Sequence, residues 1–408
     1  MKSVTAMPTK EELRQLQALP LDLKIARTKQ RIREWVRHYG VNGVYISFSG
    51  GKDSTVLLHI ARKMYPEIEA MFVNTGLEYP EIQKFVRDFP NVRVVYPRKT
   101  FKQVMAEYGY PLISKTVSHS VGVLRRNPDG RVAHNLFAPE KRGPFAMFKW
   151  KPLASVDFCL SEKCCDFTKK EPAHRYSRQS GKMAITAQMA CESAMRETQW
   201  LKSGCNAFDN ETPVSNPMSF WIEQDILLYI KNHKEEMVQE RIENIEKWYG
   251  CPLEEIVNSK TGEPAYPPRE EMTPICEVYG DVVYDCDEPE QERFSDVTTL
   301  KLKTTGCSRT GCMFCAFGAH LEKGETRFQQ LARTHPKQYA FCIGGALTTR
   351  QTGSGSLIKM DWGSGMCLMK LTRFMAKIFC GISRWITRRT SDNSKRTVFR
   401  YRSTESRA

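Results

Sequence analysis

The stretch Ser47-Phe48-Ser49-Gly50-Gly51-Lys52-Asp53-Ser54 packs hydroxyls, a glycine pair and a lysine into one short run. Two glycines let a backbone turn tightly and bring its N–H groups close to an anion. Lys52 adds a full positive charge, and Ser47, Ser49 and Ser54 add hydroxyls, so the run is suited to holding phosphate. A second polar turn, Asn74-Thr75-Gly76-Leu77-Glu78, places Thr75 and Gly76 where a base or ribose could be touched. Glu78 would accept from a ribose or organise the turn. Of 14 cysteines, four stand in tight spacing: adjacent Cys164-Cys165, and Cys312-Met313-Phe314-Cys315. Soft thiolates in this number suit iron–sulfur or zinc. Lys163, Lys169, Lys170 and Arg309 stand nearby in sequence to offset thiolate charge.

The elements around these residues decide whether they can act. Val44-Tyr45-Ile46 reads as a strand and Thr55 to Ala61 as a helix, so the glycine pair falls between a strand and a helix N-terminus. The helix dipole then adds partial positive charge at the same point. A surface turn before an ordinary helix is the bland alternative, and the flanking patterns weigh against it. Strands over 44–48, 70–73 and 92–96 alternate with helices over 54–64, 80–89 and 101–108. This order predicts an α/β, doubly wound, mainly parallel sheet. In such sheets ligands sit at the carboxyl ends of strands, where the glycine pair lies.

Upstream, residues 9–39 read as helical, with Leu13, Leu16, Leu19, Leu23, Ile25, Ile32 and Val36 among charged residues. The expected organisation is a helical segment over 1–40, a nucleotide-binding domain over 41–258, a small cysteine-bearing module over 275–345 and a basic tail over 350–408. Residues 114–150 are loosely patterned and read as an insertion over the site. The sheet resumes over 183–187, a helix follows over 220–231, and the proline-rich run 259–274 reads as a linker.

Several motifs in order carry a resemblance. Ser49-Gly50-Gly51-Lys52-Asp53-Ser54 is the signature of PP-loop pyrophosphatases, and lacks the longer spacing of an ordinary P-loop. With Val73 to Glu81 it resembles the phosphoadenosine phosphosulfate (PAPS) reductase family of the PP-loop, adenine-nucleotide hydrolase-like superfamily. Tyr108 to Lys115 resembles that family's YG-x-P segment, and Lys163 to Pro172 its CC-x3-K-x-x-P segment. Glu192-Ser193-x-x-Arg196 resembles its ES-x-x-R segment. Pro217 to Tyr229, with Trp221 and Asp225, resembles its P-x3-W-x3-D helix. The likeness covers residues 25–345.

The resemblance implies an adenine-nucleotide or sulfonucleotide substrate, with Lys52, Asp53 and Arg196 as catalytic candidates. Ser47, Ser49, Gly50, Gly51, Lys52, Asp53, Ser54, Thr75, Gly76 and Glu78 become nucleotide contacts. Arg98, Lys99, Lys115 and Arg196 are candidate clamps for a sulfate or a 3′-phosphate. In the adenylyl-sulfate reductase branch an adjacent cysteine pair plus C-x-x-C binds a [4Fe–4S] cluster, which implies Cys164, Cys165, Cys312 and Cys315 here. Three alternatives stay open. One is a local site of Cys307, Cys312 and Cys315 with Cys342 or Cys286, another a structural zinc, the third a Cys312/Cys315 redox dithiol.

One expected part is missing. The family's nucleophilic cysteine lies in a C-terminal Glu-Cys-Gly-Leu-His-type segment, and this chain has none. Its late cysteines are Cys342, Cys367 and Cys380. Three functions therefore compete. The first is a reductase-family oxidoreductase acting on adenylyl sulfate or PAPS with a thioredoxin-type reductant. The second is an ATP pyrophosphatase that activates DNA or tRNA for sulfur transfer, with Mg²⁺ bridging phosphates and Asp53 positioning it. The third is a nucleotide-sensing protein without turnover.

Charge bears on partners. The formal net charge is +15, of which +8 lies in residues 371–408. That tail, with Lys141, Arg142, Lys149 and Lys151, would suit nucleic-acid phosphates; a solvated end is the simpler reading. The first residues carry charge without an apolar core, and no apolar run approaches the roughly 18 residues of a membrane span. The expectation is a cytoplasmic chain with no membrane partner, whose cysteines serve metal or redox chemistry rather than disulfides. Cys191 and Cys205 read as buried cysteines that act as small hydrophobes, and His59 and His174 as ordinary packing or surface residues.

Overall fold

A computed structural model describes residues 7–140, 146–156, 158–285, 301–322 and 326–342. The basic tail, Cys286, Cys367, Cys380, Lys141 and Arg142 lie outside the described residues. The described residues divide into two compact units. One takes the described residues within Met1–Ala106 and Cys164–Met313, the other those within Glu107–Lys163 and Phe314–Ala408.

The first unit holds the sheet. The helical stretch expected over 9–39 is two helices, α1 (Lys10–Gln17) and α2 (Leu21–Tyr39). They part at Pro20, whose missing N–H is harmless just before a helix start. β1 (Val44–Ser47), α3 (Lys52–Arg62), β2 (Glu69–Val73), α4 (Pro80–Arg87) and β3 (Val92–Val95) then alternate as the sequence pattern predicts. Later strands at Met183–Ile185, Asn206–Ala207 and Val214–Ser215 complete six. The sheet order is β3, β2, β1, 183–185, 214–215, 206–207. All pairs are parallel except the antiparallel edge pair of 206–207 with 214–215.

The direction of winding reverses at β1. β2 and β3 follow on one side, and the later strands lie on the other. The carboxyl end of β1 is therefore the switch point at which doubly wound sheets leave a crevice. One core runs through the unit, joining Ile32 and Trp35 of α2, Val44 and Ile46 of β1, and Leu57 and Ile60 of α3. Phe72 of β2, Phe85 of α4 and Ile226 and Tyr229 of the helix Glu223–Asn232 belong to the same core.

The buried partners of Asp225 and Trp221 escaped the sequence pattern. Lys24, 1% exposed, pairs with Asp225 at 2.6 Å. Asp225 also accepts from the Ile222 N–H at 2.7 Å, and Trp221 donates from its indole to Thr28 Oγ1 at 2.9 Å. The P-x3-W-x3-D segment thus anchors α2. Similarly, the proline-rich run 259–274 is more than a linker, since Tyr266 and Met272 are buried against Ile242, Ile245 and Leu253.

The second unit corrects the reading of 114–150 as a loose insertion. Residues Lys115–Arg126 and Arg131–Phe137 are helices. Their apolar faces join Leu112, Trp150, Leu153 and Leu160 in a core of their own. Arg125 ties this unit together by donating to the carbonyls of Leu153, Ala154, Val156 and Phe158. Gly109 is required here: its φ is +104°, and a Cβ would stand 2.3 Å from the Cys159 carbonyl oxygen.

Candidate functional site

The Ser49–Ser54 turn leaves β1 and enters α3 as expected, and its two glycines act for different reasons. Gly50 has φ +70°, and a Cβ there would stand 2.9 Å from Ile82 and 3.0 Å from Val86 methyls. Gly51 has ordinary φ and is the residue before the first turn of α3. A Cβ on it would meet Ser49 Oγ at 3.2 Å and the Tyr279 hydroxyl at 3.3 Å. Ser54 braces the turn from inside, accepting from the Ser49 N–H at 3.2 Å and donating to the Gly51 carbonyl at 2.9 Å. Ser47 is half-buried at the end of β1.

Lys52 begins α3 and is 5% exposed. Its ammonium donates to the Ser308 carbonyl at 2.9 Å and stands 3.1 Å from Glu223 and 3.9 Å from Asp53 Oδ1. Burial pushes the Asp53 carboxyl above the ordinary aspartate value; Lys52 opposes this and Glu223 adds to it. Asp53 Oδ1 is buried and has no hydrogen-bond partner among the described residues. An oxygen of that kind fits a hard cation such as Mg²⁺.

The turn after β2 is organised by Glu78. Its carboxylate accepts from the Thr75 N–H at 3.0 Å and from the Thr75 hydroxyl at 2.7 Å. Gly76 is exposed at φ +74°, with its N–H on Asn74 Oδ1 at 3.0 Å.

Sequence reasoning missed that residues 305–313 come to both turns. Ser308 receives Lys52, Thr310 Oγ1 lies 2.5 Å from the Tyr279 hydroxyl beside Gly51, and the Met313 N–H donates to the Leu77 carbonyl at 2.8 Å. Arg309 reaches Glu192 at 3.4 Å. Glu192 also pairs with Arg196 and accepts from the Met189 N–H at 3.0 Å. Ser193 caps the helix Ala194–Ser203 by accepting from the Arg196 N–H at 3.3 Å. The ES-x-x-R segment is thus a capped helix start whose glutamate holds its arginine. Burial and then the neighbouring Arg309 charge lower the Arg196 pKa.

The cysteines divide. Cys164 is buried, with its carbonyl accepting from Thr168 at 2.8 Å, and Cys165 precedes a π-helical turn over Asp166–Lys170. Burial opposes the charge on Lys169. A hydrogen bond to Cys312 and the fields of Cys312, Glu78 and Cys165 outweigh it and raise the lysine pKa. Cys312 therefore shares one ammonium with Cys165, while Cys315 belongs to the second unit. Among the described residues no three Cys, His, Asp or Glu side chains stand together as a metal site. Thiols are the donors an iron–sulfur group takes, and the Lys169 beside Cys312 is exposed.

Other candidates are dispersed. Arg98 is exposed and 3.6 Å from Glu171, Lys99 lies over the Phe167 ring, and Lys115 starts a helix of the second unit. Cys205 is buried in the core as expected. Cys191 is not: it is exposed, donates to the Trp221 carbonyl at 3.4 Å and lies in the fields of Asp225, Asp53 and Glu223. His59 is packed inside, with Nδ1 2.7 Å from the Tyr229 hydroxyl. Among the described residues no helix is long and apolar enough to cross a membrane.

Comparison with known proteins matches residues 43–117 to the phosphoadenosine phosphosulfate reductase domain. An adenosine 5′-phosphosulfate reductase of Geobacillus kaustophilus is 34% identical over 79 residues, 18% of this chain and 33% of that protein. A phosphoadenosine 5′-phosphosulfate reductase of Xylella fastidiosa is 26% identical over 111 residues, 26% of this chain and 46% of that protein. The chain thus spans under half the length of the curated relatives it matches. A PAPS reductase crystal structure from Candida auris, a phosphate complex, aligns with TM-score 0.31 and 14% identity over 56% of this chain and 89% of that one. That likeness is too slight to bear on the site. The matched segment contains the β1–α3 turn and the turn after β2, so the likeness to the phosphoadenosine phosphosulfate reductase domain lies in the part of the chain that carries both turns.

Proposed function

We propose that the chain binds an adenine nucleotide at Ser49–Ser54 and acts in sulfur metabolism as an enzyme of the phosphoadenosine phosphosulfate reductase family. The observation that carries this is Lys52: a buried ammonium at a helix start, behind a turn that only glycine can make, at the sheet's switch point. Lys52 and the α3 N-terminus would hold phosphate, and Asp53 would hold Mg²⁺ if the substrate is a nucleoside triphosphate. Thr75, Gly76 and Glu78 line the adjoining turn as candidate base or ribose contacts. Arg196 would meet an anionic group beyond the first phosphate. Cys164, Cys165, Cys312 and Cys315 are our candidate ligands for an iron–sulfur cluster, which would supply electrons or tune charge near the site. Iron and sulfide analysis of anaerobically purified protein tests it; stoichiometric zinc without iron would overturn it.

The substrate is adenylyl sulfate or PAPS in the first reading, with reduction by a thioredoxin-type partner. A specific observation favours the second, an ATP pyrophosphatase activating an acceptor for sulfur transfer. Cys342 is the described late cysteine that could attack a sulfonucleotide. It is 4% exposed, and burial pushes its thiol up to about 12. A thiol of that kind is inert at neutral pH. Incubation with adenylyl sulfate plus thioredoxin, and separately with ATP plus DNA or tRNA, separates the readings. Sulfite release supports the reductase, and pyrophosphate release stimulated by nucleic acid supports the pyrophosphatase. Product from neither, with nucleotide bound, would make the chain a sensor.

A further inference from the structure

We propose that Arg309, joined to Arg196 through Glu192, forms a guanidinium subsite for the second anionic group of an adenine nucleotide, the group carried beyond the phosphate at the Ser49–Ser54 loop. This rests on the nucleotide reading above and adds a residue to it.

Three observations carry the assignment. First, both neighbours of Arg309 are held beside the loop, one through its backbone and one through its side chain. The Ser308 carbonyl takes the Lys52 ammonium at 2.9 Å, and Thr310 Oγ1 lies 2.5 Å from the Tyr279 hydroxyl. A Cβ on Gly51 would stand 3.3 Å from that hydroxyl and 3.8 Å from Thr310 Oγ1. Arg309 is the middle residue of a tripeptide anchored at the phosphate loop, so its side chain starts there. Second, Glu192 is shared. It holds Arg196 by an ion pair and Arg309 at 3.4 Å, and its own position is set by the Met189 N–H. Both guanidinium charges also act on Asp53, the residue after the loop lysine.

Third, the arrangement has little structural worth. The Arg309 side chain is 71% exposed, and a long, exposed ion pair contributes almost nothing to stability. Two guanidinium groups close enough to influence one another repel, and one carboxylate between them offsets that only in part. A sulfate or a pyrophosphate would complete the balance, and a planar guanidinium fork matches the oxygens of either. The shared chemistry is a tetrahedral oxyanion linked through oxygen to the nucleotide phosphate. Which oxyanion it is follows from the ligand used.

The test uses the full chain, titrated calorimetrically with AMP, ATP and adenylyl sulfate, with Arg309→Gln and Arg309→Lys beside the wild type. The exposed position leaves folding intact, which thermal melting checks. For Arg309→Gln, AMP affinity stays within about twofold of wild type. Affinity for whichever of ATP or adenylyl sulfate the wild type binds more tightly than AMP falls at least about tenfold, the size of one charge-assisted contact. Arg309→Lys recovers part of that loss, because it keeps charge without the fork. Equal losses for AMP and the larger ligand, or no loss for either, would overturn the subsite and leave the nucleotide reading standing. A wild type that binds none of the three would overturn that reading, and the subsite with it.

Discussion

Replacing each loop glycine with alanine separates the conformation of the phosphate loop from its shape. At Gly50 the backbone φ is +70°, which costs an L-residue about 1–2 kcal/mol. The new methyl would also stand 2.9 Å from Ile82 Cγ2 and 3.0 Å from Val86 Cγ2, in the core face of α4. Both partners are 2% exposed and have no room to withdraw. Overpacking of this kind adds about 1–3 kcal/mol. Gly50→Ala should therefore lose roughly 2–5 kcal/mol, a large share of a typical domain's stability of about 5–15 kcal/mol. Gly51→Ala meets no φ penalty; of its neighbours the Ser49 hydroxyl at 3.2 Å can turn away about its side-chain torsion, and the Tyr279 hydroxyl at 3.3 Å need give by only a few tenths of an ångström. It should cost under about 1 kcal/mol while placing a methyl where the nucleotide phosphate is expected. Urea denaturation measures the first quantity and nucleotide titration the second. Gly50→Ala with wild-type stability would refute the loop conformation described here. Gly51→Ala with wild-type stability and undiminished binding would refute the assignment of the phosphate to that face.

Two further perturbations test the frame that carries the site. Arg241 is 1% exposed and bonds Asp88 Oδ2 at 2.9 Å and Glu277 at 2.6 Å. Arg241→Ala should cost about 3–5 kcal/mol by stranding a buried carboxylate, whereas Arg241→Met with Asp88→Asn should recover much of it. A loss under about 1 kcal/mol in urea denaturation would show that the pair is not buried as described. Burial depresses the His59 imidazole to about 4, against an unfolded value near 6.5. Folding therefore favours neutral His59. Its contribution is complete above pH 6.5 and is lost as pH falls toward 4, amounting to about 2 kcal/mol between pH 7 and 5. His59→Gln should flatten that segment of the stability profile, and an unchanged profile would contradict the burial.

How much of this was legible in the sequence depended on how far each residue's partner lay along the chain. The loop Ser49–Ser54 was readable because strand, glycine pair and helix are contiguous, and their local patterns agree. The same holds for β2, α4 and β3. Lys24 was not, because a lysine among charged neighbours reads as solvent-facing, and its partner Asp225 is 201 residues away. Residues 114–150 looked loose for a related reason. Val117, Val121 and Leu124 face Trp150 and Leu160, and neither partner shares their helix. The approach of Ser308, Arg309 and Thr310 to the loop had no local signal, since Lys52 and Ser308 are 256 residues apart. The glutamate of ES-x-x-R was visible as a motif, but its joint hold on Arg196 and Arg309 emerged only with the fold.

Whether Lys52 binds the phosphate of an adenine nucleotide is decided by one titration. Wild-type chain and Lys52→Gln, matched for folding by thermal melting, are titrated with AMP, ATP and adenylyl sulfate. The wild type should bind at least one of these saturably, and Lys52→Gln should lose at least about tenfold in affinity. A folded Lys52→Gln variant that binds with unchanged affinity would contradict that role.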